Sequence, residues 1–128
     1  MSVQKQILEA VIAVIDGLHL YVALDIGPLP AANGLSIAPA SGGVEESTLV
    51  HGGQYSVVLA LNGKHTGQAT VYDSLCTIHE YLEKLSAYPT GTNWTVIGIH
   101  SIGSPTYLDH ETDGWLYGSS IRIDYVID

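Results

Sequence analysis

Two segments of the chain repeat apolar side chains at the spacing of an amphipathic helix. The first covers residues 3–18, where Ser2 is suited to cap the start of the helix and Gly17 to end it. The second covers residues 68–86 and is followed by a helix-breaking run at 88–91. The two apolar stripes comprise Val3, Ile7, Leu8, Val11, Ile12, Ile15 and Leu18 in the first helix, and Val71, Leu75, Ile78, Leu82 and Leu85 in the second.

Other segments have the short period or the β-branched composition of strands. Residues 20–26 and 55–61 are apolar enough for strands, and residues 35–38 form a possible additional strand. Residues 94–102 alternate along their length and stop before Pro105. The final segment, 115–127, alternates most cleanly, with Trp115, Tyr117, Ile121, Ile123, Tyr125 and Ile127 on one face and Gly118, Ser120, Arg122 and Asp124 on the other.

The stretch from Pro39 to Gly53 is small, polar and rich in glycine, and we predict a long loop over residues 39–53. Loops of this length inside compact domains usually contact another molecule or stay mobile.

The element order predicts a single α+β domain over residues 1–128. We expect a mostly antiparallel sheet of four to five strands, with two helices packed on one face. The last two strands should form a long hairpin through the connection 104–114.

Charge excludes some function classes. Thirteen acidic side chains against four basic ones give a net charge of -9, and the four cations are scattered along the chain. A protein that grips nucleic acid phosphates, or one with a basic membrane-binding patch, needs more clustered positive charge. The single cysteine, Cys76, excludes an intrachain disulfide.

Histidines near acidic residues raise the possibility of a metal site. Asp109, His110, Glu111 and Asp113 form the densest such cluster. A metal-dependent hydrolase would use His100, His110, Asp109 and Glu111. The same cluster is also what a solvated hairpin tip looks like, and its spacing matches neither a zinc-binding HExxH helix nor an EF-hand loop. We favour the hairpin tip and expect no metal.

A second possible site lies on the second predicted helix. Cys76 and His79 are three residues apart, so a thiolate–imidazole nucleophile is conceivable. However, both residues lie beside the apolar stripe, where an inert core cysteine and a hydrogen-bonded core histidine are commoner. No phosphate-binding or hydrolase motif is present, and we expect neither enzymatic activity nor a cofactor.

The C-terminal half resembles a known family. The residues that carry the resemblance are SPTYL at 104–108, the acidic tip after them, and the alternating strand that follows; the strand QYSVVLAL at 54–61 and an amphipathic helix precede them. The order of elements over residues 35–128 resembles that of the phage minor capsid proteins that act as tail terminators of long-tailed phages. The N-terminal helix is also in its expected place.

The resemblance implies a structural role in a virion. Such proteins form a six-fold ring at the head-proximal end of the tail tube, where they end tube polymerisation and join the tail to the head connector. The implied partners are therefore further copies of this chain, the tail tube protein and the head-completion protein, with DNA passing through the lumen without specific binding. The implied location is the tail-neck region of the virion, after assembly in the host cytoplasm.

A ring needs unlike surfaces that meet between neighbouring copies. Because the last strand carries few charges, we predict that it or its hairpin partner lies near a subunit boundary, with Trp115, Tyr117, Ile121, Ile123 and Tyr125 as interface residues. The acidic residues predicted to cluster on a surface facing the lumen or the tube are Glu45, Glu46, Asp109, Glu111 and Asp113.

Two alternatives remain open at this point. The chain could be another neck, head-completion or tube-related protein, because those families share the same sheet scaffold. It could also be a small α+β binding module that has no viral role. An acidic surface spread evenly around the outside would indicate solubility instead of DNA passage.

Overall fold

The computed structural model describes residues 3–27, 29–47 and 54–127. Its elements follow the predicted order of a helix, strands, a second helix and a final pair of strands. In chain order they are α1 (Val3–Asp16), β1 (Leu24–Ile26), β2 (Leu35–Ser47), β3 (Gln54–His65), α2 (Gln68–Glu83), β4 (Trp94–Glu111) and β5 (Gly114–Ile127). Both helices end within three residues of their predicted ends.

The five strands form one sheet in the order β1-β2-β3-β5-β4. Only β1 pairs in parallel, with β2, and every other neighbouring pair in this order is antiparallel. The α+β prediction is therefore confirmed, and the sheet has five strands.

One face of the sheet packs against both helices and forms the core. The apolar stripes of α1 and α2 meet alternate residues of the strands there, and most of these side chains are almost fully buried. The core residues contributed by β2, β3 and β5 are Leu35, Ile37, Val57, Leu59, Leu61, Tyr117, Ile121, Ile123 and Tyr125.

The predicted loop at 39–53 is wrong over its first part, because β2 continues to Ser47. Its backbone pairs with β3 at this end, where Glu45 lies opposite Ser56 and Glu46 opposite Tyr55. The small residues that suggest a loop lie in a register shift between Pro39 and Val44, where β2 has more residues than the facing part of β3. Residues 48–53 of the predicted loop lie outside the described residues.

Three strand limits also differ from the prediction. Strand β1 covers only the last three residues of 20–26. The Tyr21 hydroxyl, which precedes it, lies 2.8 Å from the carbonyl oxygen of Gly34 and 3.2 Å from that of Lys64, and its single proton is donated to one of them at a time. Strand β3 passes through Asn62 and Gly63, where close packing against Val71 leaves room only for glycine.

The third difference concerns β4, which runs past Pro105 as far as Glu111. Ser104 and Pro105 fall inside a register shift, so the missing proline N–H interrupts no rung of the ladder. The predicted hairpin of the last two strands is confirmed, but it turns at Thr112 and Asp113 instead of through a long connection.

Candidate assembly surfaces

The predicted interface residues on β5 lie mainly in the core of the chain itself. Strand β5 is not an edge strand, because β3 and β4 pair on its two sides. Its apolar face packs under the helices, so four of the five side chains have almost no surface left for a second subunit, and the interface prediction is wrong for them. These four are Tyr117, Ile121, Ile123 and Tyr125, whereas Trp115 is half-buried.

The hairpin partner of β5 forms one edge of the sheet. Strand β4 has register shifts where an extra residue is inserted against β5, and such bulges turn side chains away from the regular pleat. Three of these shifts insert one residue each, and each inserted residue is a large aliphatic one. We call them the bulge ridge: Ile97, Ile102 and Leu108, which are 45%, 49% and 53% exposed.

The acidic tip of the β4–β5 hairpin is tied to β3 by a lysine. Lys64 Nζ lies 2.6 Å from Glu111 Oε1 and 3.4 Å from Asp113 Oδ1. The hydrogen bond with Glu111 and the charge of both carboxylates raise the pKa of Lys64. Asp109, two residues before Glu111, is exposed, and its Oδ1 accepts a hydrogen bond from the N–H of His110. The tip is therefore solvated, as the hairpin interpretation predicts, and fixed in place.

The five acidic residues predicted to share one surface do not cluster. The backbone of Glu45 and Glu46 pairs with the start of β3, whereas the hairpin tip lies at the end of β3, beside Lys64. Eight residues of strand separate Ser56 from Lys64, which is about 26 Å. The prediction of a single acidic patch is wrong, because the register places its two halves at opposite ends of the sheet.

The residues of the suggested metal site also lie apart. His100 pairs with Asp124 through Nε2 at 3.2 Å, and His110 stacks flat on Trp115 with ring centres 3.7 Å apart. The β5 partners of the two histidines, Arg122 and Trp115, are seven residues apart, about 23 Å along the strand. Among the described residues, no group of three or more histidine, cysteine, aspartate or glutamate side chains could hold a metal ion.

His79 is a core histidine, as predicted. It is buried between α2 and β4, where Nδ1 lies 2.7 Å from the hydroxyl of Ser101, while the buried Nε2 has no hydrogen-bond partner. Cys76 is half-buried, and its proximity raises the pKa of Tyr72. Since the imidazole Nδ1 hydrogen-bonds to Ser101 and no hydrogen bond joins the two side chains, this geometry does not support the thiolate–imidazole nucleophile among the described residues.

Burial of His79 makes stability depend on pH. Desolvation lowers the pKa of His79 below its usual value of about 6.5, although Glu83 acts in the opposite direction. The unfolded chain therefore binds a proton at His79 more readily than the folded chain does. This contribution to the free energy of unfolding is fully present above about pH 6.5 and is lost as the pH falls from there toward the lowered pKa of the folded state. We expect urea denaturation to show less stability at pH 5 than at pH 7.5, by about 1.4 kcal/mol per unit of pKa difference.

The matched variants for this effect are His79→Gln and His110→Gln. The first removes the buried imidazole and should reduce the loss of stability between pH 7.5 and pH 5. The second removes an exposed imidazole and should leave that loss unchanged. Equal losses in His79→Gln and the wild type would contradict the assignment.

An apolar groove lies near the opposite edge of the sheet, on the helix face. It has a volume of about 290 Å³ between the first turns of α1 and the strands β1, β2 and β3. We call it the α1 groove, and its lining residues are Gln4, Lys5, Leu8, Ile26, Pro39, Val57 and Leu59. Ile26 is 58% exposed at its rim, and a second, more open depression adjoins it along β1.

The described helices include none that is long and apolar enough to span a bilayer.

Comparison with known proteins identifies a likeness of fold. No protein-family model matches the chain, and a search of curated proteins finds no match. Among solved structures, a chain from the virion of a native gene transfer agent (GTA) particle superimposes with a TM-score of 0.57 and 18% sequence identity. The alignment covers 91% of this chain and 85% of that chain. This chain therefore shares its α+β fold, over nearly its whole length, with a component of a virion.

Proposed function

We propose that this chain is a structural protein of a virion, without enzymatic activity, which acts as a tail terminator. In this role it forms a six-membered ring at the head-proximal end of the tail tube, ends tube polymerisation and joins the tail to the head connector. The observation that carries the proposal is the likeness to a chain of the gene transfer agent virion over 91% of the length.

The surfaces of the chain support this role. A closed ring requires that each copy present two different surfaces, one to each neighbour. The sheet has two unlike edges: β4 with its exposed bulge ridge, and the short β1 beside the α1 groove. The two strands are opposite edges of the sheet, and unlike edges suit head-to-tail repetition around an axis.

Passage of DNA through the ring is supported by net charge alone. Each copy carries a net charge of -9, so the walls of a ring would repel phosphates in general. The separation of Glu45 and Glu46 from the hairpin tip gives no single acidic surface to assign to the lumen.

Deleting the gene from the genome that encodes the chain tests this role. We expect tail tubes of uncontrolled length and heads without tails in electron micrographs, because nothing would end the tube or join it to the head. A plasmid copy of the gene should restore normal particles, and gold-labelled antibody against the chain should mark the junction of head and tail.

Two other outcomes would contradict the tail-terminator role. Tails of normal length that fail to join heads would indicate a head-completion protein. Normal particles without antibody label would indicate a binding module outside the virion.

A further inference from the structure

A depression lies between α1 and the edge strand β1. It has a volume of about 450 Å³ and is lined by all three residues of β1 and, on α1, by Glu9, Ile12, Ala13 and Asp16. We call it the edge slot. The described part of β2 contributes nothing to its lining, so the slot lies on the side of β1 that faces away from the rest of the sheet. A further strand placed beside β1 would lie in it.

The backbone of β1 has hydrogen-bonding groups that point toward the edge slot. The N–H of Gly27 donates to the carbonyl oxygen of Ile37 in β2 at 3.0 Å. Alternate residues of a strand direct their N–H and C=O groups to opposite sides, so those of Leu24 and Ile26 point away from β2. The N–H of Leu24 accordingly donates to Asp16 Oδ1 at 2.9 Å. The N–H and C=O of Ile26 are placed to pair with an added strand.

The opposite edge of the sheet is protected against such an addition. On β4 the N–H of Val96 donates to the carbonyl oxygen of Pro89 at 3.1 Å, and the N–H of Ser101 lies 3.4 Å from Glu83 Oε2. Pro105 has no N–H, and the register shifts interrupt the ladder. The edge at which this sheet can be extended is therefore β1.

The two faces of β1 set the side-chain pattern of an added strand. Leu24 is buried under α1, and Ile26, on the same face of β1, is 58% exposed where the sheet ends. Ile12 and Ala13 of α1 line the slot above them. Asp25 points to the other face of the sheet and is exposed. An added strand would therefore place aliphatic side chains toward α1 and the intervening side chains beside Asp25.

The charges of the edge slot favour basic side chains at those intervening positions. Three carboxylates line the slot, those of Glu9, Asp16 and Asp25, and none of its described lining residues is basic. Lys5 lies one turn before Glu9 on α1, but it lines the α1 groove and not the slot. Opposite charges on neighbouring strands stabilise the pairing, so lysine or arginine would complement this edge.

A second copy of this chain does not have such a segment. Its four basic residues are scattered along the sequence, so none of its strands alternates aliphatic and basic side chains. Lys64 of β3 is already paired with two carboxylates of the hairpin tip. Arg122 lies on β5, inside the sheet, and bonds to Asp124. The occupant of the slot is therefore a different protein.

We infer that the edge slot binds an extended segment of another protein that alternates aliphatic and basic residues and extends the sheet beside β1. Backbone hydrogen bonds would supply affinity, and the alternating side chains would supply specificity. The inference goes beyond the proposed function, because it concerns a contact of the single chain with a different protein, whether or not six copies close a ring.

A synthetic peptide tests the inference on the purified chain. The probe is a blocked peptide of about seven residues, near the usual length of a strand, that alternates lysine and valine. Calorimetric titration should give a dissociation constant below about 1 mM that rises with salt, because charge pairing contributes. In NMR spectra of the labelled chain, the amide signal of Ile26 should shift on binding.

Two control peptides separate strand pairing from general attraction to an acidic protein. One has the same composition with its lysines and valines in two blocks, and the other alternates glutamate and valine. We expect both to bind at least about 10-fold more weakly, because the first lacks the period of a strand and the second carries the wrong charge.

Two variants of the chain locate the contact. Ile26→Pro removes the outward N–H and leaves the pairing with β2 intact, so binding should be lost up to about 1 mM peptide. Asp25→Lys should weaken binding about 10-fold, because a like charge replaces an opposite one. Glu80→Lys is the matched control for Asp25→Lys, since it changes the net charge equally at an exposed position of α2, and it should leave binding unchanged.

Absence of binding by the alternating lysine–valine peptide up to about 1 mM would overturn the inference. Equal binding of the block peptide, or equal weakening by Asp25→Lys and Glu80→Lys, would also overturn it, since either result indicates attraction to net charge alone. If Ile26→Pro folds poorly by circular dichroism, Asp25→Lys and the Ile26 amide signal decide. Each of these failures leaves the tail-terminator proposal intact, because gene deletion tests that role separately.

Discussion

Replacing Trp94 with alanine is expected to destabilise the chain by about 3–5 kcal/mol, the usual cost of removing a buried tryptophan. Trp94 is almost fully buried where α1, the start of β4 and the segment before β4 meet. Its indole Nε1 donates a hydrogen bond to Gln6 Oε1 at 2.8 Å, and its ring packs directly against Gly91. The variant would leave a cavity and remove the hydrogen bond between the indole and Gln6.

Trp115→Ala is the matched control, because the chain has only these two tryptophans. Trp115 is half-buried and stacks on the exposed His110, so its loss should cost much less. Urea denaturation followed by circular dichroism would give both free energies of unfolding without relying on tryptophan fluorescence. Equal losses in the two variants would contradict the assignment of Trp94 to the core.

Replacing Ile123 with alanine is expected to cost about 2–5 kcal/mol of stability. Ile123 has no exposed surface and lies on the interior strand β5 between Val57 of β3 and Ile99 of β4. Its loss opens a cavity under the helices that the surrounding strands cannot close. Thermal denaturation of the variant and the wild type measures the difference.

Ile102→Ala serves as the comparison, since it shortens the same kind of side chain on the neighbouring strand. Ile102 is 49% exposed at the bulge ridge, so the folded monomer should change by less than about 0.5 kcal/mol. A large loss of stability in Ile102→Ala together with a small loss in Ile123→Ala would contradict the assignment of Ile123 to the core and Ile102 to the surface.

Local sequence pattern was sufficient to predict both helices and the α+β class. The apolar stripe of α2 is nearly uninterrupted, and the helix-breaking residues at 88–91 follow it. The strands were harder because their lengths depend on partners distant in sequence. Residues 41–43 look like a loop in isolation, yet pairing with β3 on either side makes β2 continuous through them. Pro105 likewise ends the predicted strand too early. The register shift that accommodates this proline depends on pairing with β5, so the local sequence does not indicate it.

The candidate surface could be predicted only in part. Alternation along β5 correctly identified one apolar face, but the same alternation is expected for a face covered by helices and for one covered by a neighbouring subunit. Only the strand order decides between them, and it places β5 inside the sheet. The bulge residues of β4 were not identified, since an inserted residue becomes visible only once the register of the two strands is known.

Helix α1 has a mechanical consequence for any assembly built from this chain. Gln6 near one end is bonded to Trp94 at the β4 edge, and Asp16 at the other end accepts a hydrogen bond from the N–H of Leu24 in β1. The ten residues from Gln6 to Asp16 span about 15 Å of helix, and the two side chains extend this toward the width of about 19 Å for five strands. The helix is thus a strap between the two outer strands. A pull from neighbours on both sides would load this strap along its length, so the strands would have to shear past it together instead of peeling apart one at a time.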